Sequence, residues 1–203
     1  PKASIRAILE TYNLDDGDII RVDNGQYDLT TNIDILNEDS GVVIEGPNWA
    51  GGRAVINRGN TSSTSYVFQL TNADDITLRN LAITGGYYGI YAANAGGSDG
   101  LVVERSELTG NAQDGAYIAG GNLDALFSDN EAYANGGSGI QVEGGGGRLV
   151  GNHAWGNAYG LWASTGGSSV DRIEVQGNVA HDNSVDGIGV QFRVLVDGNT
   201  VYG

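Results

Sequence analysis

The chain contains two histidines, His153 and His181, and no cysteine, so imidazole is its strongest candidate for a base near neutral pH. Proton abstraction beside a carboxylate needs such a base together with a cation that neutralises the carboxylate. Arg148 and Arg172 are the candidate cations on the same part of the chain. His153 is the better candidate for a lone base, because His181 falls in a repeated column of aromatic residues and is predicted to stack there.

A second candidate chemistry is calcium binding by aspartates in predicted turns, namely Asp114, Asp182 and Asp186. The net charge of −15 favours a divalent cation, so calcium stays open as a ligand, and no other cofactor is predicted. However, Gly136-Gly-Ser-Gly-Ile-Gln141 lacks the aspartate of calcium-binding nonapeptide repeats, which favours a solvated acidic edge. The same charge argues against nucleic acid and anionic membranes as partners, and no segment is long enough to span a membrane.

An internal repeat with a spacing of 21 to 26 residues must position these side chains, and it is clearest from residue 76 onward. Each copy combines short alternating strands with Gly and Asn turns, which predicts an all-β parallel solenoid whose coils stack their strands. Two asparagine columns are predicted to bond from coil to coil at the corners. The Gly-rich insertions 95–100, 120–122, 144–147 and 164–169 are predicted to lie along one edge. One inward column is predicted for Ile83, Leu108, Ala132, Ala154, Ala180 and Val201.

Residues 1–75 differ from the repeats and are predicted to form a capping helix, with Ser4 as its N-cap, followed by the first coils. Residues 76–203 continue the same domain as regular repeats. The chain stops at Gly203 inside a copy that has only begun, and it contains no methionine. We therefore expect a piece of a longer protein, with further coils or a capping partner at the C-terminal edge.

Aromatic residues give the best signal for binding. A strand follows the glycine that recurs in each repeat. The alternation of side chains in these strands directs Tyr91, Tyr117, Gln141 and Trp162 outward in one column. A row of aromatic rings beside polar groups suits stacking against the apolar C–H faces of sugar rings. The same row could instead only stabilise an exposed sheet through cross-strand stacking, and that alternative stays open.

The chain resembles the right-handed parallel β-helix superfamily, which has the pectin-lyase-like fold. The resemblance rests on five segments: Ser4-Ile-Arg-Ala-Ile-Leu9, Gly17-Asp-Ile-Ile-Arg-Val22, Gly25-Gln-Tyr27, Val42-Val-Ile-Glu-Gly46 and Ile76-Thr-Leu-Arg-Asn-Leu-Ala-Ile-Thr-Gly85. Repeats such as Val179-Ala-His-Asp-Asn183 are similar to those of bacterial alginate C5-epimerases and large surface proteins. The resemblance implies right-handed coils with three short sheets, and it specifies function weakly.

Family signatures of catalysis are missing. Epimerases of this type carry an Asp-Pro-His motif, whereas prolines here occupy only positions 1 and 47, and no Gly-His-Gly of polygalacturonases is present. The sequence therefore favours a non-catalytic module of a secreted or surface protein that binds polysaccharide through Tyr91, Tyr117, Gln141 and Trp162. A polyuronate lyase or C5-epimerase is the alternative, and a purely structural stalk or adhesin segment is the third hypothesis.

Overall fold

A computed structural model describes residues 4–48, 52–94, 97–165 and 172–203. One short helix, α1 (Ile5–Leu9), precedes strands that wind into coils, each coil contributing one strand to each of three parallel sheets, A, B and C. A 3-10 turn spans Asn37–Asp39. The predicted all-β, right-handed parallel β-helix with an N-terminal helix is confirmed.

The strands are numbered in chain order. Sheet A contains β1 (Ile19–Arg21), β4 (Val43–Glu45), β7 (Thr77–Arg79), β10 (Val102–Glu104), β13 (Leu126–Ser128), β16 (Arg148–Val150), β19 (Ile173–Gln176) and β22 (Val194–Asp197). Sheet B contains β2 (Gly25–Asp28), β5 (Ala54–Asn57), β8 (Leu81–Thr84), β11 (Glu107–Thr109), β14 (Glu131–Tyr133), β17 (His153–Trp155), β20 (Val179–His181) and β23 (Thr200–Tyr202). Sheet C contains β3 (Ile33–Leu36), β6 (Tyr66–Thr71), β9 (Tyr88–Ala92), β12 (Ala116–Ile118), β15 (Ser138–Glu143), β18 (Tyr159–Ser164) and β21 (Asp186–Gln191).

The core is a continuous column of small and branched apolar side chains, because alternate residues of every strand point into the coil. The predicted inward column of sheet B pairs in register from Ile83 to Val201. Its first five members are wholly buried, whereas Val201 is 54% exposed. Val201 lies in the last described strand of sheet B, so no described strand covers its outer side.

The two predicted asparagine ladders are confirmed, and they hold the corners on either side of sheet B. In the first, the backbone N–H and the Nδ2 of Asn130 both donate to Oδ1 of Asn152, at 3.1 and 2.9 Å. Asn152 in turn donates to Asn178, and its Nδ2 also donates to the Phe127 carbonyl. The second ladder runs through Asn111, Asn135, Asn157 and Asn183 in the same way.

At several corners, left-handed backbone geometry, which asparagine tolerates well, occurs one residue before the ladder asparagine. Asp129, Ala134 and Asp182 adopt φ values of 55°, 55° and 51°, and each precedes a ladder asparagine. That residue turns the chain through the corner, which leaves the asparagine itself free to point inward and bond to the coils above and below. The amide's double role as donor and acceptor, rather than its backbone tolerance, therefore explains its use.

A glycine column begins the strands of sheet C because successive backbones approach closely there. A Cβ added to Gly89, Gly115, Gly139 or Gly160 would lie 2.3 to 2.6 Å from a carbonyl oxygen of the next coil. The column separates two positions on the outer side of the sheet, so sheet C carries two rows of side chains there.

The N-terminal helix and the corner insertions also follow the prediction. Oγ of Ser4 accepts the Ala7 N–H at 3.1 Å and caps α1, which ends at Leu9. The described parts of the four Gly-rich insertions all connect sheet C to sheet A, along one edge. Residues 95, 96 and 166–169 of these insertions lie outside the described residues. Within the described ranges, no helix is long and apolar enough to cross a membrane.

Candidate functional site

The outer surface of sheet C carries two columns of side chains, which together we call the sheet C face. The first column contains the predicted residues in register, in the order Gln69, Tyr91, Tyr117, Gln141, Trp162 and Gly189. The second column lies three residues earlier and includes Tyr66, Tyr88, Ser138, Tyr159 and Asp186. The structure therefore brings the four predicted residues together and adds tyrosines that the sequence analysis did not include.

Four tyrosines from three successive coils form one cluster on this face. Tyr91 lies 4.4 Å from Tyr66 and 6.0 Å from Tyr117 between ring centroids, with ring planes tilted by 34° and 37°. Tyr88 lies 5.4 Å from Tyr117 at a tilt of 46° and stacks on Tyr91 at 5.3 Å. Tyr66 and Tyr88 are also stacked, with centroids 5.7 Å apart and planes at 24°. All four rings are half-buried, so part of each remains exposed to solvent.

Trp162 extends the aromatic surface toward the later coils. Its ring meets that of Tyr159 edge-on, with centroids 5.5 Å apart and planes at 71°. A Cβ added to Gly189 would lie 2.4 Å from the six-membered ring of Trp162, so the indole occupies the space that a side chain would fill in the next coil. Glycine at position 189 therefore allows the indole to lie across the adjoining strand.

Polar groups beside the tyrosines form a connected chain of hydrogen bonds. The hydroxyl of Tyr117 donates to Glu143 Oε2 at 3.1 Å, and Gln141 Nε2 donates to Glu143 Oε1 at 2.8 Å. Oγ of Ser138 donates to Gln141 Oε1 at 3.1 Å. Burial, and then the charge of Glu143, raise the pKa of Tyr117 to about 12. This network fixes the orientation of Gln141 and Glu143 on the face.

Asp114 is a buried acid at the edge of the same cluster, just before β12. It is 7% exposed, and its carboxylate accepts the Ser138 N–H at 2.6 Å. Burial raises the pKa of Asp114 to about 6, the Ser138 N–H opposes that rise, and the charge of Glu143 adds to it. A carboxyl group that titrates near neutral pH beside an exposed cleft or face is suited to proton transfer.

The charge of the sheet C face is one-sided. Its seven strands, which all lie within the described ranges, contain no lysine or arginine. They do contain Asp34, Glu143 and Asp186. The face therefore combines aromatic rings, hydrogen-bonding groups and negative charge.

Sheet B carries a different aromatic arrangement, a ladder of Tyr133, Trp155, His181 and Tyr202. The successive ring planes are inclined by only 7°, 6° and 10° at centroid distances of 4.5, 5.9 and 4.9 Å. Each inner ring thus has both faces covered by its neighbours. The predicted stacked position of His181 is confirmed.

His153 and His181 lie close together, which the sequence analysis missed. His153 pairs in register with Val179, so His181 is its diagonal neighbour on the same face of sheet B. The two Nε2 atoms are 2.8 Å apart, and His181 Nδ1 lies 2.8 Å from Asp182 Oδ2. Burial, and then the proximity of His181, lower the pKa of His153. The sequence did hold a signal: His181 lies two residues after the repeat position equivalent to His153, and residues two apart in a strand face the same side.

The candidate cations do not lie on the sheet that carries the histidines. Arg148 begins β16 of sheet A, and Arg172 donates to Glu174 Oε1 in β19 of the same sheet at 3.2 Å. The base-and-cation set considered from the sequence is therefore not assembled on one sheet.

The three aspartates considered for calcium do not converge either. Asp114 is buried against Ser138, Asp182 contacts His181, and Asp186 begins β21. Within the described part of the chain, no three acidic or imidazole side chains are grouped so as to hold a metal ion.

Comparisons with known proteins agree with this architecture. A family model described as "Right handed beta helix region" matches residues 66–203. A search of curated proteins finds no match.

Among solved structures, the catalytic domain of a GH87 alpha-1,3-glucanase is 16% identical with a TM-score of 0.69, covering 98% of this chain and 43% of the glucanase. The A-module of the mannuronan C-5 epimerase AlgE4 from Azotobacter vinelandii is 15% identical with a TM-score of 0.56, and the match covers 90% of this chain and 68% of the epimerase module. PfbA, a surface adhesin of Streptococcus pneumoniae, is 14% identical with a TM-score of 0.56, and the match covers 91% of this chain and 55% of the adhesin. At these identities the similarity establishes the fold, and the chain spans less than half of the glucanase domain.

Proposed function

The chain belongs to the right-handed β-helix family, and on that premise we propose that it binds a neutral polysaccharide along the sheet C face. The observation that carries the proposal is the group of half-buried aromatic rings, Tyr66, Tyr88, Tyr91 and Tyr117, continued by Trp162. Partly uncovered rings offer faces to the C–H surfaces of sugars, and Gln141 and Glu143 lie beside them to bond hydroxyl groups.

The charge of the face favours a neutral glycan over a polyuronate. A uronate carboxylate would need an arginine, a lysine or a bound cation to offset its charge. The described strands of sheet C contain no arginine or lysine, and the carboxylates of Glu143 and Asp186 would repel a uronate. Glycan hydroxyls, in contrast, donate well to carboxylates.

The proposal is tested by binding soluble neutral glucans and, in parallel, alginate and pectate, to the wild type and to Trp162→Ala and Tyr117→Ala. We expect retention of a neutral glycan that each substitution weakens by about tenfold, since a lost aromatic contact is worth about 1.4 kcal/mol. Trp155→Ala is the matched control, because it removes the same side chain from sheet B, where ring faces are covered.

Two outcomes contradict the proposal. One is equal weakening by Trp155→Ala and Trp162→Ala, which would indicate a general loss of structure. The other is tighter binding of alginate or pectate than of any neutral glycan, which would favour the lyase or epimerase alternative. Circular dichroism of each variant checks that the coil is intact.

A second candidate function is hydrolysis of the bound glycan. It is favoured by Asp114, whose pKa near 6 would let it protonate a glycosidic oxygen, with Glu143 as the second carboxylate that such hydrolysis requires. Release of reducing ends, measured in the same binding samples, distinguishes an enzyme from a binding module. Turnover that Asp114→Asn abolishes without loss of binding would establish the enzyme.

We further propose that the module works outside the cell within a larger assembly. Its similarity to a surface adhesin supports that location, and the exposed apolar side chains of the last described coil support a covering partner or further coils. These side chains include Val190, Phe192, Val196 and Val201, which are 42 to 67% exposed.

A further inference from the structure

The pair of histidines on sheet B has a geometry that neither glycan binding nor the core requires. His153 lies in β17 and His181 in β20, and both side chains point outward from the same face. Their ring centroids are 4.8 Å apart and their Nε2 atoms 2.8 Å apart. They are also the only histidines of the chain.

Asp182 determines which nitrogen of His181 faces its partner. The carboxylate of Asp182 can only accept, so the proton of neutral His181 lies on Nδ1, which is 2.8 Å from Asp182 Oδ2. The lone pair of His181 Nε2 therefore points toward His153. In the hydrogen bond between the two rings, His153 Nε2–H is then the donor. If that proton moves to Nδ1 of His153, the Nε2 lone pairs of both imidazoles are directed into the same space.

We infer that His153 and His181 form a binding site for a divalent transition-metal ion that prefers imidazole nitrogen, such as Zn²⁺ or Cu²⁺. Two nitrogens bound to one ion at about 2.1 Å, at angles of about 90 to 109°, lie about 3.0 to 3.4 Å apart. The observed 2.8 Å thus requires the rings to separate by only a few tenths of an ångström.

Neighbouring groups support a cation at this position. The hydrogen bond of His181 to Asp182 is the carboxylate–histidine pairing that orients metal ligands and increases their basicity. Glu131 lies opposite His153 in β14 and adds a second negative charge. Since two side chains donate to the ion and water completes its shell, we expect weaker binding than at closed structural sites.

Nitrogen ligands also select the class of metal. Imidazole suits Zn²⁺, Cu²⁺ and Ni²⁺, with Cu²⁺ bound most tightly, whereas Ca²⁺ prefers six or more oxygen ligands. The site is therefore distinct in chemistry from the calcium site considered from the sequence, and it lies on a different sheet from the proposed glycan face. The ion would join β17 to β20, which belong to adjacent coils.

The test uses untagged protein and two measurements. Calorimetric titration with Zn²⁺ should give one ion per chain, and Cu²⁺ should quench Trp155, whose ring lies 4.5 Å from that of His153 and 5.9 Å from that of His181. His153→Gln and His181→Gln should each weaken Zn²⁺ binding by about tenfold or more, and the double variant should abolish it. Asp182→Asn should weaken it by about tenfold while leaving both ligands in place.

A matched control separates the site from adventitious binding. Trp155→Phe should remove most of the Cu²⁺-dependent quenching while leaving the heat of Zn²⁺ binding unchanged, whereas Trp162→Phe should leave the fractional quenching of Trp155 intact. Zn²⁺ binding that persists unchanged in the double histidine variant would overturn the inference. Displacement of Zn²⁺ by an equal concentration of Ca²⁺ would also overturn it, because that result would identify an oxygen site.

Discussion

Replacing Asp114 by asparagine should stabilise the protein at neutral pH. The carboxylate is buried and accepts the Ser138 N–H, a bond that the Oδ1 of asparagine can accept equally well. The substitution therefore retains the structural contact and removes the charge. Among the described carboxyl groups, Asp114 is the one whose pKa burial raises furthest, from 3.8 to about 6.

The size and the pH range of the effect follow from that difference. A pKa raised from 3.8 to about 6 corresponds to a cost of about 3 kcal/mol for keeping Asp114 ionised in the folded chain. Because the folded pKa lies above the unfolded one, stability from the neutral carboxyl is complete below pH 3.8 and is lost as the pH rises through about 6. The opposing effect of the Ser138 N–H is already contained in that pKa, so Asp114→Asn should gain about 3 kcal/mol at pH 7.5 and little at pH 4.

Urea unfolding of both proteins, followed by circular dichroism between pH 4 and pH 8, measures the difference in free energy of unfolding. Asp99→Asn is the control, since Asp99 also accepts a backbone N–H of the next coil, that of Leu123 at 2.7 Å, but is less buried. It should not reproduce the gain at pH 7.5. The reasoning fails if Asp114→Asn is less stable than the wild type at pH 7.5, or if the difference between them does not change with pH.

Two further predictions concern the corners and the glycine column. Asn152→Ala should lower the free energy of unfolding by about 3 kcal/mol, because the Asn130 N–H and the Phe127 carbonyl both lose a partner in a buried position. Asn199→Ala, at the partly exposed end of the same ladder, should cost about 1 kcal/mol because water replaces the lost bonds; equal costs in urea unfolding would contradict this account. Gly139→Ala should cost about 2 kcal/mol, since its Cβ would lie 2.6 Å from the Gly160 carbonyl oxygen, and unchanged urea unfolding would show that the coils can move apart.

Features that repeat with the coil could be predicted from the sequence. The asparagine ladders, the inward column ending at Val201 and the row from Tyr91 to Trp162 each recur once per copy, so aligning the copies gives their register. The insertions were equally visible, because they lengthen the same corner in successive copies. In a solenoid, residues that are distant in sequence but occupy equivalent positions of the repeat lie next to each other. Their contacts can therefore be predicted from the repeat pattern.

Contacts that cross between columns could not be predicted in that way. His153 and His181 occupy different positions of the repeat and meet diagonally, so comparing equivalent positions missed them. The sequence predicted Asp114 to be a turn residue with a candidate role in calcium binding. Its burial could not be predicted, because it depends on Ser138 in the next coil and on the neighbouring tyrosines. The close backbone approach behind the glycine column likewise depends on the three-dimensional stacking of the coils.

The choice of residue at position 114 is the strongest argument that the sheet C face has a function beyond stability. At several other buried positions this chain satisfies N–H groups between coils with the uncharged side chains of asparagine and serine. At position 114 an aspartate accepts the Ser138 N–H instead, although its ionisation there costs about 3 kcal/mol. The structural task does not explain that cost, because an amide could perform it. What an aspartate adds is a titratable proton next to Tyr88, Tyr117 and Glu143, which is the group that the proposed hydrolysis would use.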